Sequence, residues 1–128
     1  MSASLTKQYG KEMREKTVFI INQSGHDFEP AKEFGKPVFL SEGRWSRYDV
    51  NNIYRHFEDK LKDSKPEDYL LLTGLPIMQA IATAIMAMRH GRVNILQFRQ
   101  KEGRKFYIER NIVFPLAESI KTEGEEYA

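Results

Sequence analysis

The stretch from Asp68 to Gly91, DYLLLTGLPIMQAIATAIMAMRHG, decides the fold. Leu70 to Leu72 form an apolar run without alternation, which suits a short parallel strand covered on both faces. Thr73-Gly74 break the run. Pro76 then stands at a first-turn position, where its missing N–H would have had no intrahelical partner. From Pro76 to Arg89 nearly every position is apolar, and Gln79, Thr83 and Arg89 are the only polar ones on the second face. The segment reads as the front half of a strand-helix-strand unit. Such a unit sets small residues at the carboxyl end of a strand beside the positive end of a helix dipole, where open α/β sheets take anionic ligands.

Outward from this unit, Val93 to Arg99 predicts a strand that turns at Gln100 to Gly103 into another, Lys105 to Phe114. Gly103 supplies the positive φ of a short hairpin with a bulge. Upstream, Thr17 to Ile21 and Pro37 to Leu40 read as strands rich in β-branched and aromatic residues. Between them Asp27 is placed to cap a short helix, with Pro30 in its first turn and Gly35 as its left-handed stop. A longer helix opens at Asp49, and Val50, Ile53, Tyr54, Phe57 and Leu61 make one apolar stripe at three- and four-residue spacing. The pattern predicts a single small Rossmann-like three-layer α/β domain. Its sheet is mostly parallel, in the order 2-1-3-4-5, with a C-terminal antiparallel hairpin strand. The expected division is a polar N-terminal arm over residues 1–16, the domain over 17–120, with a last turn after Pro115, and an acidic tail over 121–128.

The length of 128 residues suits one core that buries roughly two thirds of the unfolded surface. With 41% apolar and 30% charged residues the chain reads as soluble and globular, and no run approaches the roughly 18 apolar residues of a membrane span. The absence of cysteine excludes disulfides, thiolate metal sites and cysteine nucleophiles. No secretory signal opens the sequence, so a cytoplasmic location is expected. The 20 Lys and Arg against 18 Asp and Glu give a net charge of +2, which argues against nucleic acid as a partner because that habit needs a concentrated basic face. Cations recur from Lys7 to Lys16, at Arg44 and Arg47, and from Arg99 to Arg110, a distribution that a solvated, screened surface explains for the most part.

Right-handed crossovers bring the loops after the first three strands to one edge of the sheet. In the order 2-1-3-4-5 the loops at Gly25 and Gly74 flank the crevice where the chain reverses its direction of growth. Ser24, Gly25, His26 and Asp27 offer a hydroxyl, free N–H groups, an imidazole and a carboxylate, a set suited to a phosphate or ribose. The competing reading is a glycine turn whose Asp27 only caps a helix. Thr73 and Gly74 resemble a phosphate turn without the lysine of a Walker loop, and equally suit tight packing of strand on helix. Arg44 and Trp45 interleave a cation with a ring that a base could stack on, or the tryptophan folds back over a helix end. His26, His56 and His90 lie at no ligand spacing, so no metal and no cofactor is expected; His90 falls at a helix end, where a cation suits the dipole.

The segment DYLLLTGLPIMQAIATAIMAMRHGRVNILQF resembles the strand, Thr-Gly turn, apolar helix and strand of Rossmann-like sensor domains of the CARF and SLOG type. These bind cyclic or linear nucleotide signals in prokaryotic defence, and the resemblance implies a nucleotide-like ligand. Where those families carry a second glycine and a polar residue, this chain has Leu75 and Pro76. The chain as a whole is also similar to small bacteriophage proteins.

Three readings compete. The first is non-catalytic binding of a nucleotide or nucleotide-derived ligand at Ser24, Gly25, His26, Asp27, Arg44, Trp45, Thr73 and Gly74, with the nearly all-apolar helix expected to join the protein into a homo-oligomer, most simply a homodimer. The second is a homo-oligomeric interaction protein without a ligand, joined through Gln79, Ala82, Thr83 and Met86 of the apolar helix. The third is a phosphodiesterase or nucleosidase-like enzyme using His26 with Asp27 or Glu42. The sequence favours binding over catalysis because no nucleophile and base converge.

Overall fold

The computed structural model describes residues 15–115 apart from Ser24 and His26. The first 14 residues, the last turn expected after Pro115 and the acidic tail lie outside the described residues. The elements run β1 (Thr17–Ile20), a 3₁₀ turn (Glu29–Glu33), β2 (Lys36–Phe39), α1 (Val50–Leu61), β3 (Tyr69–Leu71), α2 (Pro76–His90), β4 (Arg92–Lys101) and β5 (Arg104–Val113). They build one five-stranded sheet in the order β2-β1-β3-β4-β5. The first four strands are parallel and β5 is antiparallel to β4, as the sequence predicts.

Alternation along the strands splits the core in two. Phe19, Leu70, Val93 and Ile95 meet Ile53, Phe57 and Leu61 of α1 and Met78, Ala82, Ile85 and Met86 of α2. Val18, Ile20, Leu71 and Leu96 point to the opposite face. That face is covered by the 3₁₀ turn, with Ala31 buried and Phe28 and Phe34 packed edge-on against Phe39 and Tyr69. The third layer is therefore one turn, where the sequence pattern predicts a helix. Asp27 Oδ1 accepts the N–H of Glu29 at 3.0 Å and starts that turn. Gly35 does not stop it in a left-handed conformation: a Cβ there would lie 2.2 Å from the Lys16 carbonyl oxygen. The residue is small because the backbone of Lys16, just before β1, passes against it.

Two further expectations change. Asp49 precedes α1 but its side chain makes no capping bond, and Val50 and Tyr54 of the predicted stripe face solvent. In α2 the face toward the sheet is Met78, Ala82, Ile85 and Met86, and Ala80, Ala84 and Met88 are exposed. Ala82 and Met86 are thus core residues with 0% and 1% exposure, and the partner interface expected from them is corrected accordingly. Gly91, at φ 67°, ends α2 and gives its N–H to the Ala87 carbonyl.

β4 outlasts its neighbour. Only Asn94–Leu96 pair with β3, so from Gln97 onward β4 pairs with β5 alone. The two strands rise as a ribbon past the carboxyl ends of the parallel strands. Lys101 pairs with Arg104, leaving Glu102 and Gly103 as a two-residue turn with φ of 51° and 80°, the signs a type I′ turn requires. No bulge is needed. At the opposite rim the buried Asp68 carboxylate accepts the N–H of Thr17 at 2.9 Å and of Lys65 at 2.8 Å, tying β1 to the start of β3. Among the described residues no helix is long and apolar enough to cross a membrane.

Candidate functional site

Parallel pairing brings the ends of β1, β2 and β3 to one rim, and a polar clamp holds them there. Ser41 Oγ lies 2.7 Å from the Ile21 carbonyl oxygen and 2.9 Å from Asn22 Oδ1, so its single proton is shared between them. Asn22 Nδ2 donates to the Gly43 carbonyl at 3.2 Å, and Gln23 N–H to the Ser41 carbonyl at 3.0 Å. Gly74 sits directly beneath. It has φ 86°, and a Cβ on it would come within 2.9 Å of Asn22 Cβ. The loop that carries Gly25 and the turn at Gly74 therefore do meet, with Asn22 as the point of contact.

The strand ends do not form one crevice. The β1 loop divides the rim into a cavity on the face of the 3₁₀ turn and a cleft on the face of the helices. The cavity has a volume of about 210 Å³ and is lined by Asp27, Phe28, Leu71, Leu72, Thr73, Phe98, Lys105 and Tyr107. Phe98 and Tyr107 stand opposite each other on the ribbon with ring centroids 5.7 Å apart, edge to face. Burial, and secondarily the Asp27 carboxylate, push the Tyr107 phenol above its ordinary range, so it remains a neutral donor. Three rings, a carboxylate, an ammonium and the hydroxyls of Thr73 and Tyr107 thus surround a space smaller than the roughly 300 Å³ at which drug-sized pockets begin. It suits a single ring system.

The cleft is wider, about 470 Å³, and borders Asn22, Gln23, Gly43, Arg44, Trp45, Gly74, Leu75 and Met78. Trp45 is folded back: its Nε1–H donates to the Glu42 carbonyl at 3.1 Å, and its ring lies 4.9 Å from His56 and 6.4 Å from Phe57 of α1. One of its faces is therefore already occupied by protein. The exposed Arg44 is the cation of this side.

The residues predicted from sequence are accordingly split. Asp27 and Thr73 line the cavity, whereas Arg44, Trp45 and Gly74 border the cleft. Gly25 is exposed at φ 79°, a Cβ added to it would meet nothing within 4 Å beyond its chain neighbours, and Ser24 and His26 lie outside the described residues. Of the carboxylates considered for catalysis, Asp27 is engaged by the Glu29 N–H, and Glu42 lines neither space. Among the described residues no three His, Asp or Glu side chains group closely enough to hold a metal ion. Phe28, Phe98, Lys105 and Tyr107 are the lining residues that sequence reading missed. For the hairpin residues the available signal was strand alternation, which sets Phe98, Lys105 and Tyr107 on one face, and that face becomes a wall only because the ribbon overshoots β3.

A protein-family model, the Phage Pam3 gp32-like protein, matches residues 15–113. The chain belongs to this family. The match covers the whole sheet and both helices, so the family domain is the entire fold described above, rim and ribbon included. It supports the resemblance to small phage proteins. Comparison with curated proteins and with solved structures gives no match.

Proposed function

We propose that this phage-family protein binds a nucleotide or nucleotide-derived small ligand, without turnover, at the carboxyl rim of its sheet. The observation that carries the reading is the cavity walled by Phe28, Phe98 and Tyr107, with Asp27, Thr73 and Lys105 at its edge. A base edge finds hydrogen-bond partners in the carboxylate and phenol, its faces find aromatic rings, and a phosphate finds the Lys105 ammonium. The likeness of Asp68 to Phe98 to nucleotide-signal sensor domains agrees with the same ligand class. Catalysis by His26 with Asp27 is the weaker reading, because the sequence brings no nucleophile and base together and Asp27 Oδ1 already accepts the Glu29 N–H.

The test is a panel of mono-, di- and cyclic nucleotides scored by thermal shift and titration calorimetry. One or more should raise the melting temperature in proportion to the logarithm of ligand concentration above Kd. Phe98→Ala and Lys105→Glu, both at exposed positions, should remove the shift while leaving the unliganded melting temperature within a few degrees. No shift from any member at millimolar concentration would refute the proposal, and steady conversion of a bound nucleotide would replace it with the enzymatic reading.

A further inference from the structure

The ribbon has two faces, and the cavity uses only one of them. Register places Phe98, Gln100, Lys105, Tyr107 and Glu109 on the cavity side. The other side, continuous with the helix-facing surface of the sheet, carries Arg99 and Lys101 from β4 and Arg104 and Arg110 from β5, together with Gln97, Phe106 and Ile108. All four cations are exposed, and no strand residue on this side is acidic. Their interactions are with neutral groups. The Arg104 guanidinium lies over the Phe106 ring at 5.7 Å, and Arg110 Nε donates to Gln97 Oε1 at 3.4 Å. Among the described residues none of the four pairs with a carboxylate.

From this we infer that the outer face of the β4–β5 ribbon is a nucleic-acid-binding surface that grips the phosphate backbone. A net charge of +2 gives the molecule as a whole little attraction for polyanions. The sheet supplies by sorting what composition lacks: alternation collects cations on one side and sends Glu109 to the other. Same-face residues on a strand repeat at about 6.8 Å, and the paired positions from Ile95–Arg110 to Lys101–Arg104 extend the charge over roughly 20 Å of ribbon. A two-stranded ribbon is also of a width that the major groove of a duplex admits. A fixed anionic protein would need complementary carboxylates at matching spacing. A backbone of regularly spaced phosphates needs only this linear array, and Phe106 among the cations adds a ring on which an unpaired base can stack. A membrane surface fits less well, because the tip that would enter it is Glu102-Gly103.

The experiment is fluorescence anisotropy of labelled duplex and single-stranded oligonucleotides with the full chain, repeated across a salt series. Binding to at least one form should weaken with salt, with a log–log slope of about −3 to −4 for four phosphate contacts. Arg104→Glu should weaken binding about tenfold or more and reduce that slope by at least about one. Lys60→Glu on α1 makes the same change in net charge away from the ribbon and should leave affinity within about twofold, with circular dichroism confirming that both variants are folded. Absence of salt-dependent binding to either form would overturn the inference. So would equal weakening by Lys60→Glu and Arg104→Glu, or retention of an acidic protein with no affinity for either oligonucleotide. The nucleotide proposal is tested on the opposite face by Phe98→Ala, so the two can fail separately.

Discussion

At Gly74 the rim depends on the absence of one carbon. Its φ of 86° is a region in which a Cβ is strained by about 1–2 kcal/mol, and here the added atom would also press on Asn22. Gly25 has a similar φ of 79° with nothing within 4 Å of a Cβ. Gly25→Ala should therefore cost only the backbone strain, about 1 kcal/mol in urea denaturation. Gly74→Ala should cost about 1–3 kcal/mol more, because the overpacking is added and Asn22 cannot yield without breaking its bonds to Ser41 and Gly43. Equal losses would show that the close approach at Asn22 has no energetic weight. His90 gives a second test at this scale. Ser64 Oγ donates to the Leu61 carbonyl at 2.7 Å, so His90 Nε2, 2.8 Å away, acts as the donor to Ser64. Burial first and then the Arg89 charge hold the His90 pKa below its ordinary 6.5, against the benefit a helix end offers a cation. The unfolded chain then takes up the proton more readily than the folded one. This contribution to stability is intact above about pH 6.5 and is lost as pH falls through the lower folded value. Wild-type protein should lose more stability from neutral to mildly acid pH than His90→Gln, measured by urea midpoints; identical slopes would remove this role.

Elements were legible in the sequence where two signals coincided and illegible where one was saturated. Strand order followed from β-branched runs, glycine turns and the handedness of crossovers, and the strand bounds fell within a few residues of those predicted. The rotation of α2 did not, because a helix apolar at almost every position has no strong periodic direction; packing of Met78, Ala82, Ile85 and Met86 on the sheet sets it instead. The short helix before β2 shrank to a 3₁₀ turn because Pro30 and the close passage of Gly35 against Lys16 leave too little chain for a longer one. At the site, Asp27, Thr73, Arg44, Trp45 and Gly74 were readable as loop residues at strand ends. The partition into two spaces was not, since it depends on how far the hairpin overshoots β3. The corrected face of α2 has a measurable consequence. Met86→Ala should destabilise by about 2–5 kcal/mol through lost burial and a residual cavity. Ala80→Ser, on the exposed side, should stay within about 0.5 kcal/mol. A small effect at Met86 would return that side chain to solvent.

At the scale of the whole molecule, the helices share one face of the sheet, so their outer surface is left without a covering layer. Between them runs a groove lined by Tyr54, Glu58, Ile81, Ala84, Ile85, Met88 and Arg89, in which Tyr54 is 49% and Met88 81% exposed. Arg89 and Glu58 are paired across it, joining α1 to α2 and keeping the apolar side chains on a fixed frame. For the homo-oligomer expected from the apolar helix, this groove replaces Ala82 and Met86 as the contact, because those two are spent inside the core. The alanine at position 84 allows close approach, and the unbranched Met88 adapts to the surface it meets. Met88→Glu should then convert a concentration-dependent oligomer into a monomer in sedimentation velocity, with the far-ultraviolet spectrum of each chain unchanged. Phe98→Ala, at the rim, should leave the assembly as it was, since the ribbon and the groove are built from different residues. A wild-type protein that sediments as a monomer at every concentration would end the oligomer proposal while leaving the rim cavity and the basic ribbon face as they stand.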